Sequence, residues 1–557
     1  MEKFVNWWKT DKRYLWFLKA ALMAALPFLC CVVSCAMQGK TIGQVYLPGS
    51  EWNDELFYFK QVESMVEFGY PKGYFGFNES HALKLSYAAW SPVLVFPWII
   101  WGVIFGWNMM SPIICNIVLL TVAMFVFVWL VKPTWKQLGV LALLFCLYTP
   151  FVRYMLSGMP EVICFSMLII FYGIAVSYLK KETVAKIVWL FVISGLLTLM
   201  RPYMILFMLL PMFFWARRKK WLGFAGSVVV IGTTFGIYAM IKHYFGAEYF
   251  APLFFTDWIT AFFEKGFVGG LHNLFSTLYW KGKDFLAHTI QGYRSGLASG
   301  AFFGGYLTVM AVLLYQSFAD WRKIRREHKA IEKSEAEALD ISNNGILETG
   351  VTNRGPKISE IKNQFIVELH LAFSFIGMFF ALLLMYKLTE GSKHLLTFIA
   401  VGIFVISLMR TKFYKKAVLV GAMFAYLYSY MAIEPYDYQV PFVAEEREIQ
   451  VEAWREIFAE ELIITEVNIP NYDNVIIWVF SDMTPEGSVT NKWQLLYGLP
   501  KGFGISCCYS DYILNHFETL QSRYIATVSN GEIDVLCQQY GFREVGRDAD
   551  MVVFERY

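Results

Sequence analysis

Long apolar runs alternate with short polar or basic connectors along most of this chain. Runs that cross or nearly cross a bilayer lie at 15–36, 109–131, 135–149, 161–179, 186–200, 203–216, 221–241, 300–317, 366–386, 395–409 and 416–433. A helix needs about 20 apolar residues to span a hydrocarbon core of ~30 Å, so the pattern predicts a polytopic α-helical membrane protein. One more run, 91–107, is interrupted by Pro92, Pro97, Gly102 and Gly106 and is bounded by Trp90 and Trp107. From about residue 434 the pattern changes. An amphipathic helical stretch from Glu445 to Leu462 precedes short strand-like runs at 475–480, 524–528 and 551–554. Helices mixed with short buried strands predict a small α/β domain over 434–557, after a membrane domain over 1–433. The segment 318–365 is polar (Glu332, Lys333, Ser334, Glu335, Asn343, Asn344, Gly345) and reads as a partly disordered linker.

Charge decides how the broken run is treated. With the N-terminus inside and 91–107 not crossing, every basic connector falls on the cytoplasmic side. These are Lys132/Lys136, Lys180/Lys181/Lys186, Arg217–Lys220, Arg322–Arg326 and Arg410–Lys416. If 91–107 crosses, all of them flip outward, against the excess of Lys and Arg expected in cytoplasmic loops. The run therefore reads as a re-entrant or interfacial helix, with about eleven spans in all. A rival reading lets 91–107 span while a shorter segment, such as 135–149, does not. With 91–107 not crossing, 37–108, 150–160, 242–299, 387–394 and the tail face outward, and 318–365 is cytoplasmic. The localisation expected is the bacterial plasma membrane, with an extracytoplasmic C-terminal domain.

Composition narrows the class. Of 557 residues 57% are hydrophobic and 17% charged, and the net charge of +3 is too small to argue for nucleic acid. Nine cysteines occur without a CxxC spacing, which gives no support to a cysteine zinc site or a dithiol redox motif. Cys30, Cys31, Cys35, Cys115, Cys146 and Cys164 lie in or beside apolar runs and read as packing residues. Cys507, Cys508 and Cys537 fall in the tail, where a bridge from Cys537 to one of the pair is open.

The candidate chemistry gathers in the outer loops. Residues 53–68 read as a helix lying on the membrane, with Phe59, Val62, Met65 and Val66 on one stripe and Asp54, Tyr58 and Gln61 on another. Asp54 and Glu55 occupy its first turn. There the helix dipole favours an ionised carboxylate, which serves either as a general base or simply as a helix-start residue. Trp52 and Asn53 flank the pair. The stretch Tyr70–Glu79, with Tyr74, Asn78 and Glu79, interleaves aromatics and glycines, and suits sugar or lipid contacts or an interfacial aromatic belt. The next outer loop carries Arg153, and Glu161 stands at the mouth of the following span. Arg201, Lys393 and His394 close other spans on that side. Four cations at one depth suit a phosphate or diphosphate, or else act singly as headgroup anchors.

These motifs resemble the GT-C glycosyltransferases, multi-span enzymes that use polyprenyl-phosphate or polyprenyl-diphosphate sugar donors. Asn53-Asp54-Glu55 and the helix to Gly69 are similar to the acidic element of that family's first outer loop. Tyr87-Ala88-Ala89-Trp90-Ser91-Pro92 is similar in placement to its aromatic, Pro-containing stretch. Glu161 matches a second acid at the outer mouth of a later span, and Lys393-His394 a late basic pair, with Lys where Arg is usual. The resemblance implies transfer of a sugar, with inversion, from a polyprenyl-phosphate donor to a glycan, lipid or protein acceptor. Asp54 would be the base. Glu55 and Glu161 would position the acceptor or hold Mg²⁺ or Mn²⁺. Arg153, Arg201, Lys393 and His394 would bind the donor phosphate. The alternatives are a flippase for lipid-linked sugars, which needs polar groups deep in several spans, and a non-enzymatic cell-envelope assembly protein.

Overall fold

A computed structural model describes residues 13–45, 53–72, 75–79, 91–148, 150–246, 255–295, 298–343, 355–386, 395, 402, 404, 405, 408, 444–462, 472–480 and 493–556. Among them, five helical segments are long and apolar enough to cross a membrane. They are α1 (Arg13–Met37), α4 (Ser111–Val131), α7 (Glu161–Lys180), the segment Pro202–Phe245, and Phe365–Met385 within α13 (Gly355–Met385). Three shorter apolar segments accompany them, containing α3 (Phe96–Phe105), α5 (Trp135–Leu147) and α8 (Val184–Met200). The chain is thus an integral, mostly helical polytopic membrane protein. The runs expected at 203–216 and 221–241 meet in one helical stretch, α9 (Leu209–Phe245), broken at Lys220 (φ 49°, ψ −130°). A Cβ at Gly223 would collide with the Trp215 carbonyl, so the chain turns sharply there. The expected span at 416–433 lies outside the described residues.

Basic residues converge at one end of the bundle. Lys19 Nζ donates to Pro133 O at 2.8 Å and stands over the rings of Trp16 and Trp135. Lys180 Nζ donates to Val131 O, Lys186 Nζ to Ser177 O at 2.8 Å, and Arg217 pairs with Glu182 at 3.7 Å. Lysines here cover last-turn carbonyls of α4 and α7, where the helix dipole favours positive charge. The start of α1, the ends of α4 and α7, and the break in α9 therefore share one face.

α3 has ten residues, about 15 Å of helix, or half of a ~30 Å core. Phe96, Ile100, Val103 and Ile104 are exposed on one side of it, while Trp98, Ile99 and Gly102 are buried on the other. It packs against α2 (Asn53–Phe68), the helix that carries Asp54 and Glu55. The approach is close, because a Cβ at Gly102 would lie 2.6 Å from Val66 Cγ2.

α2 keeps its expected limits and ends at Gly69 (φ 76°), but it does not lie open on a membrane surface. Leu56, Tyr58, Phe59, Lys60, Gln61, Val62 and Ser64 are all buried. Phe59 is wedged between Trp107 and Tyr497, with ring centroids 5.4 and 5.1 Å away. Lys60 Nζ donates to Leu499 O at 2.8 Å and to Glu63 at 2.9 Å. Both faces are covered because the C-terminal domain seats on the side that the sequence pattern left open.

That domain holds a six-stranded sheet in the order β1-β3-β2-β4-β6-β5. Its strands are β1 (Phe75–Phe77), β2 (Val475–Phe480), β3 (Gly504–Tyr509), β4 (Tyr524–Val528), β5 (Arg543–Arg547) and β6 (Met551–Glu555). The first four run parallel, and β6 and β5 close the sheet antiparallel. β1 belongs to the first loop and pairs with β3 in the register Phe77↔Cys507. The sheet therefore extends beyond 434–557, and the first loop and the tail must lie on the same side of the membrane. The aromatic-glycine stretch is an edge strand here. Cys507, Cys508 and Cys537 are buried free thiols; burial raises Cys508 and Cys537 to about 12. The linker expectation also changes, since α12 runs unbroken from Ala298 to Asn343. Its polar half is rich in Glu, Lys, Arg and Ala, all strong helix formers.

Three carboxylates tie the domain together. Asp534 accepts from Arg547 (2.7 and 2.9 Å), the Asn530 N–H and Gln538; Asp548 accepts from Met551 N, Trp454 and Gln450; Glu555 pairs with Arg543 and Arg523. Burial, the largest single influence, works to raise each pKa. The donors outweigh it, and all three carboxyls sit below their usual range. Groups held low in the fold stabilise it above their unfolded pKa, about 4, and that stability drains away as pH falls through the folded values. The domain's near-UV circular dichroism is expected to be flat from pH 8 to 5 and to collapse below about pH 4. Asp534→Asn should flatten that acid limb.

Candidate functional site

Glu161 opens α7, with Pro160 just before it. Residues of α6 (Pro150–Met155) and the turn to Pro160 set where it stands. Asn116, inside α4, fixes that turn. Its Nδ2 reaches the carbonyls of Tyr154 (3.2 Å), Ser157 (3.2 Å) and Met159 (3.4 Å), while its Oδ1 accepts from Trp98 Nε1 at 2.9 Å. One amide thus binds α3, α4 and the turn ahead of Glu161. Sequence reading passed over this residue, although a lone amide in an apolar span was the available signal. Asn116→Leu would take one donor away from this group of carbonyls and the acceptor away from the buried Trp98 indole N–H, a group that costs about 1–3 kcal/mol when left unsatisfied. It should lower the melting temperature in detergent by several degrees, with Asn116→Gln intermediate.

Arg201 ends α8 in extended conformation (φ −143°, ψ 112°), since a following proline disfavours helix at that position. Its side chain is fully buried (0% exposed), as is Glu161 (1%), and Nη2 meets Glu161 Oε1 at 2.8 Å. Nη1 reaches the Tyr203 hydroxyl at 3.4 Å. Tyr58 of α2 lies within electrostatic reach of the same guanidinium. Glu161 Oε2 is buried with no hydrogen-bond partner among the described residues, and so is Gln61 Nε2, one turn beyond Tyr58 on α2. This cluster lies at the opposite ends of α7 and α8 from the basic face.

The structure brings Glu161 and Arg201 together and places other expected residues elsewhere. Arg201, expected to hold a phosphate, is engaged with Glu161. Asp54 is half-exposed and Glu55 buried in the first turn of α2. Arg153, on α6, stacks its guanidinium on Tyr154 at 5.6 Å. Asn78 and Glu79 follow β1 with positive φ (47° and 59°). The Glu79 carboxylate accepts from Gln521 N (3.0 Å) and Ser522 N (2.6 Å), and its own N–H donates to Ser506 Oγ at 2.8 Å. Glu79 thus clamps the first loop to the tail. Trp52, Tyr74, Lys393 and His394 lie outside the described residues, as does the side chain of Asn53. No three His, Cys, Asp or Glu side chains converge on a metal position among the described residues, and Glu161 already holds Arg201.

Polar groups also occur deeper in the bundle than the sequence suggested. Gln316 Nε2 donates to the buried Glu368 at 2.7 Å, and His370 bridges the Tyr172 hydroxyl (3.4 Å) and Leu206 O (3.2 Å).

No protein-family model and no curated protein sequence matches the chain. Two solved structures are similar, both of ArnT from Cupriavidus metallidurans. The one bound to undecaprenyl phosphate has a TM-score of 0.41 and the apo form 0.42. Each is 11% identical, with 96% of this chain and 97% of that one covered. Likeness at this level carries no functional weight.

Proposed function

We propose that this chain is a membrane glycosyltransferase that moves a sugar from a polyprenyl-phosphate donor to an acceptor hydroxyl at the outer membrane face. The observation that carries the proposal is the buried Glu161–Arg201 pair, with Tyr58 of the helix that holds Asp54 and Glu55 in its first turn within electrostatic range. Asp54, the more accessible acid, takes the acceptor proton. The acceptor oxygen attacks the anomeric carbon, and the bond to phosphate breaks with its electron pair leaving on the phosphate oxygen. Attack opposite the leaving group inverts the configuration. Glu161, oriented by Arg201, and Gln61 offer a free acceptor and a free donor to sugar hydroxyls. Glu55 supports the acid turn, Arg153, Lys393 and His394 neutralise the donor phosphate, and the C-terminal domain orients the acceptor.

The experiment supplies membranes containing the protein with labelled polyprenyl-phosphate sugars. Label is expected to move to an acceptor with inverted anomeric configuration, read by NMR. Movement of intact donor across the bilayer without transfer would instead establish the flippase reading. Glu368 and His370 favour that second reading, and Glu368→Gln should then abolish the movement.

A further inference from the structure

α1 and α5 run side by side in the same direction. At the basic face Lys19 stands over Trp135, and eleven residues further along each helix Cys30 Sγ lies 3.8 Å from Cys146 Sγ. Both are free thiols. Cys31 and Cys35, which also lie on α1, are fully buried, whereas Cys146 is exposed and Cys30 half-buried. Cys146 is one residue from the end of α5, and Cys30 is seven residues, about 10 Å, short of the end of α1. The pair therefore sits away from the basic face, on the side read as extracytoplasmic, where disulfides persist. A disulfide bond is about 2.05 Å long, so the sulfurs need to approach by roughly 1.8 Å.

We propose that Cys30 and Cys146 are a redox-modified pair, closed by disulfide exchange into a covalent link between α1 and α5. The exposed Cys146 thiolate attacks a sulfur of an oxidant disulfide, either a protein disulfide or a low-molecular-weight one. One oxidant thiol leaves. Cys30 then attacks Cys146 Sγ in the mixed disulfide and releases the second thiol. Two protein thiols are oxidised, one disulfide is reduced to two thiols, and the two protons pass to them. The link would fix α1 as one wall of an apolar groove of about 490 Å³, formed by Phe28, Val32 and Ala36 with Ile114, Ile117 and Val118 of α4. This holds whether or not the chain transfers sugar.

The test treats the full-length protein in detergent with glutathione disulfide, blocks free thiols after unfolding, and digests it without reductant. The expected result is a Cys30–Cys146 linked peptide, with seven of the nine cysteines alkylated. The link should disappear on dithiothreitol treatment and in Cys30→Ser or Cys146→Ser. The melting temperature should rise on oxidation of the wild type and stay unchanged in Cys146→Ser. Alkylation of all nine thiols, or linkage between other cysteines, would overturn the proposal.

Discussion

Asp54→Asn is expected to reduce sugar transfer by about 10²- to 10⁴-fold, the usual contribution of a positioned general base. Asparagine is nearly the same shape and is also favoured at a helix start. If Asp54 served only to begin α2, the exchange would cost a few tenths of a kcal/mol to about 1 kcal/mol of dipole interaction and leave transfer intact. The expected pattern is a lost rate with unchanged melting and unchanged donor binding. Asp54→Glu should recover part of the rate, because the base remains but its reach changes. The neighbouring Glu55→Gln should behave differently. Glu55 is buried, so its replacement should act on stability at least as much as on rate.

The second large effect concerns the Glu161–Arg201 pair. Removing one partner of a fully buried pair strands the other charge and costs about 3–5 kcal/mol. Arg201→Leu or Glu161→Leu alone is therefore expected to unfold the protein at temperatures the wild type survives. The double variant Glu161→Leu/Arg201→Leu should recover most of that stability, since apolar replacement of a whole buried pair is often neutral or better. Its transfer activity should nevertheless be absent. Thermal unfolding in detergent with a transfer assay on the same four proteins separates the two roles. A stable and active double variant would reduce the pair to a packing element.

Much of the membrane part was legible because lipid enforces helix length and composition. The cation run Arg217–Lys220 marked the break in α9, and Gly69 with Pro71 marked the end of α2. What could not be read was pairing over long sequence distance. Phe75-Gly76-Phe77 gives three residues of local pattern, and its partner β3 lies more than 400 residues away. Without that strand, the burial of α2 and the clamp made by Glu79 could not be foreseen. Glu161 and Arg201 were each singled out by their position at span ends. Their mutual contact was not legible, so Arg201 was assigned to a phosphate. The polar half of α12 was misread because high charge suggests disorder, while its particular residues favour helix.

On the proposed function, the first turn of α2 and the ends of α7 and α8 together hold the reacting sugar. A cryo-EM structure of the full chain with a non-hydrolysable polyprenyl-phosphonate sugar tests it most directly. The anomeric carbon is expected near the Asp54 carboxylate, with sugar hydroxyls on Glu161 Oε2. Donor density at the basic face beside Lys180 and Lys186, or beside Glu368 between α12 and α13, would contradict it.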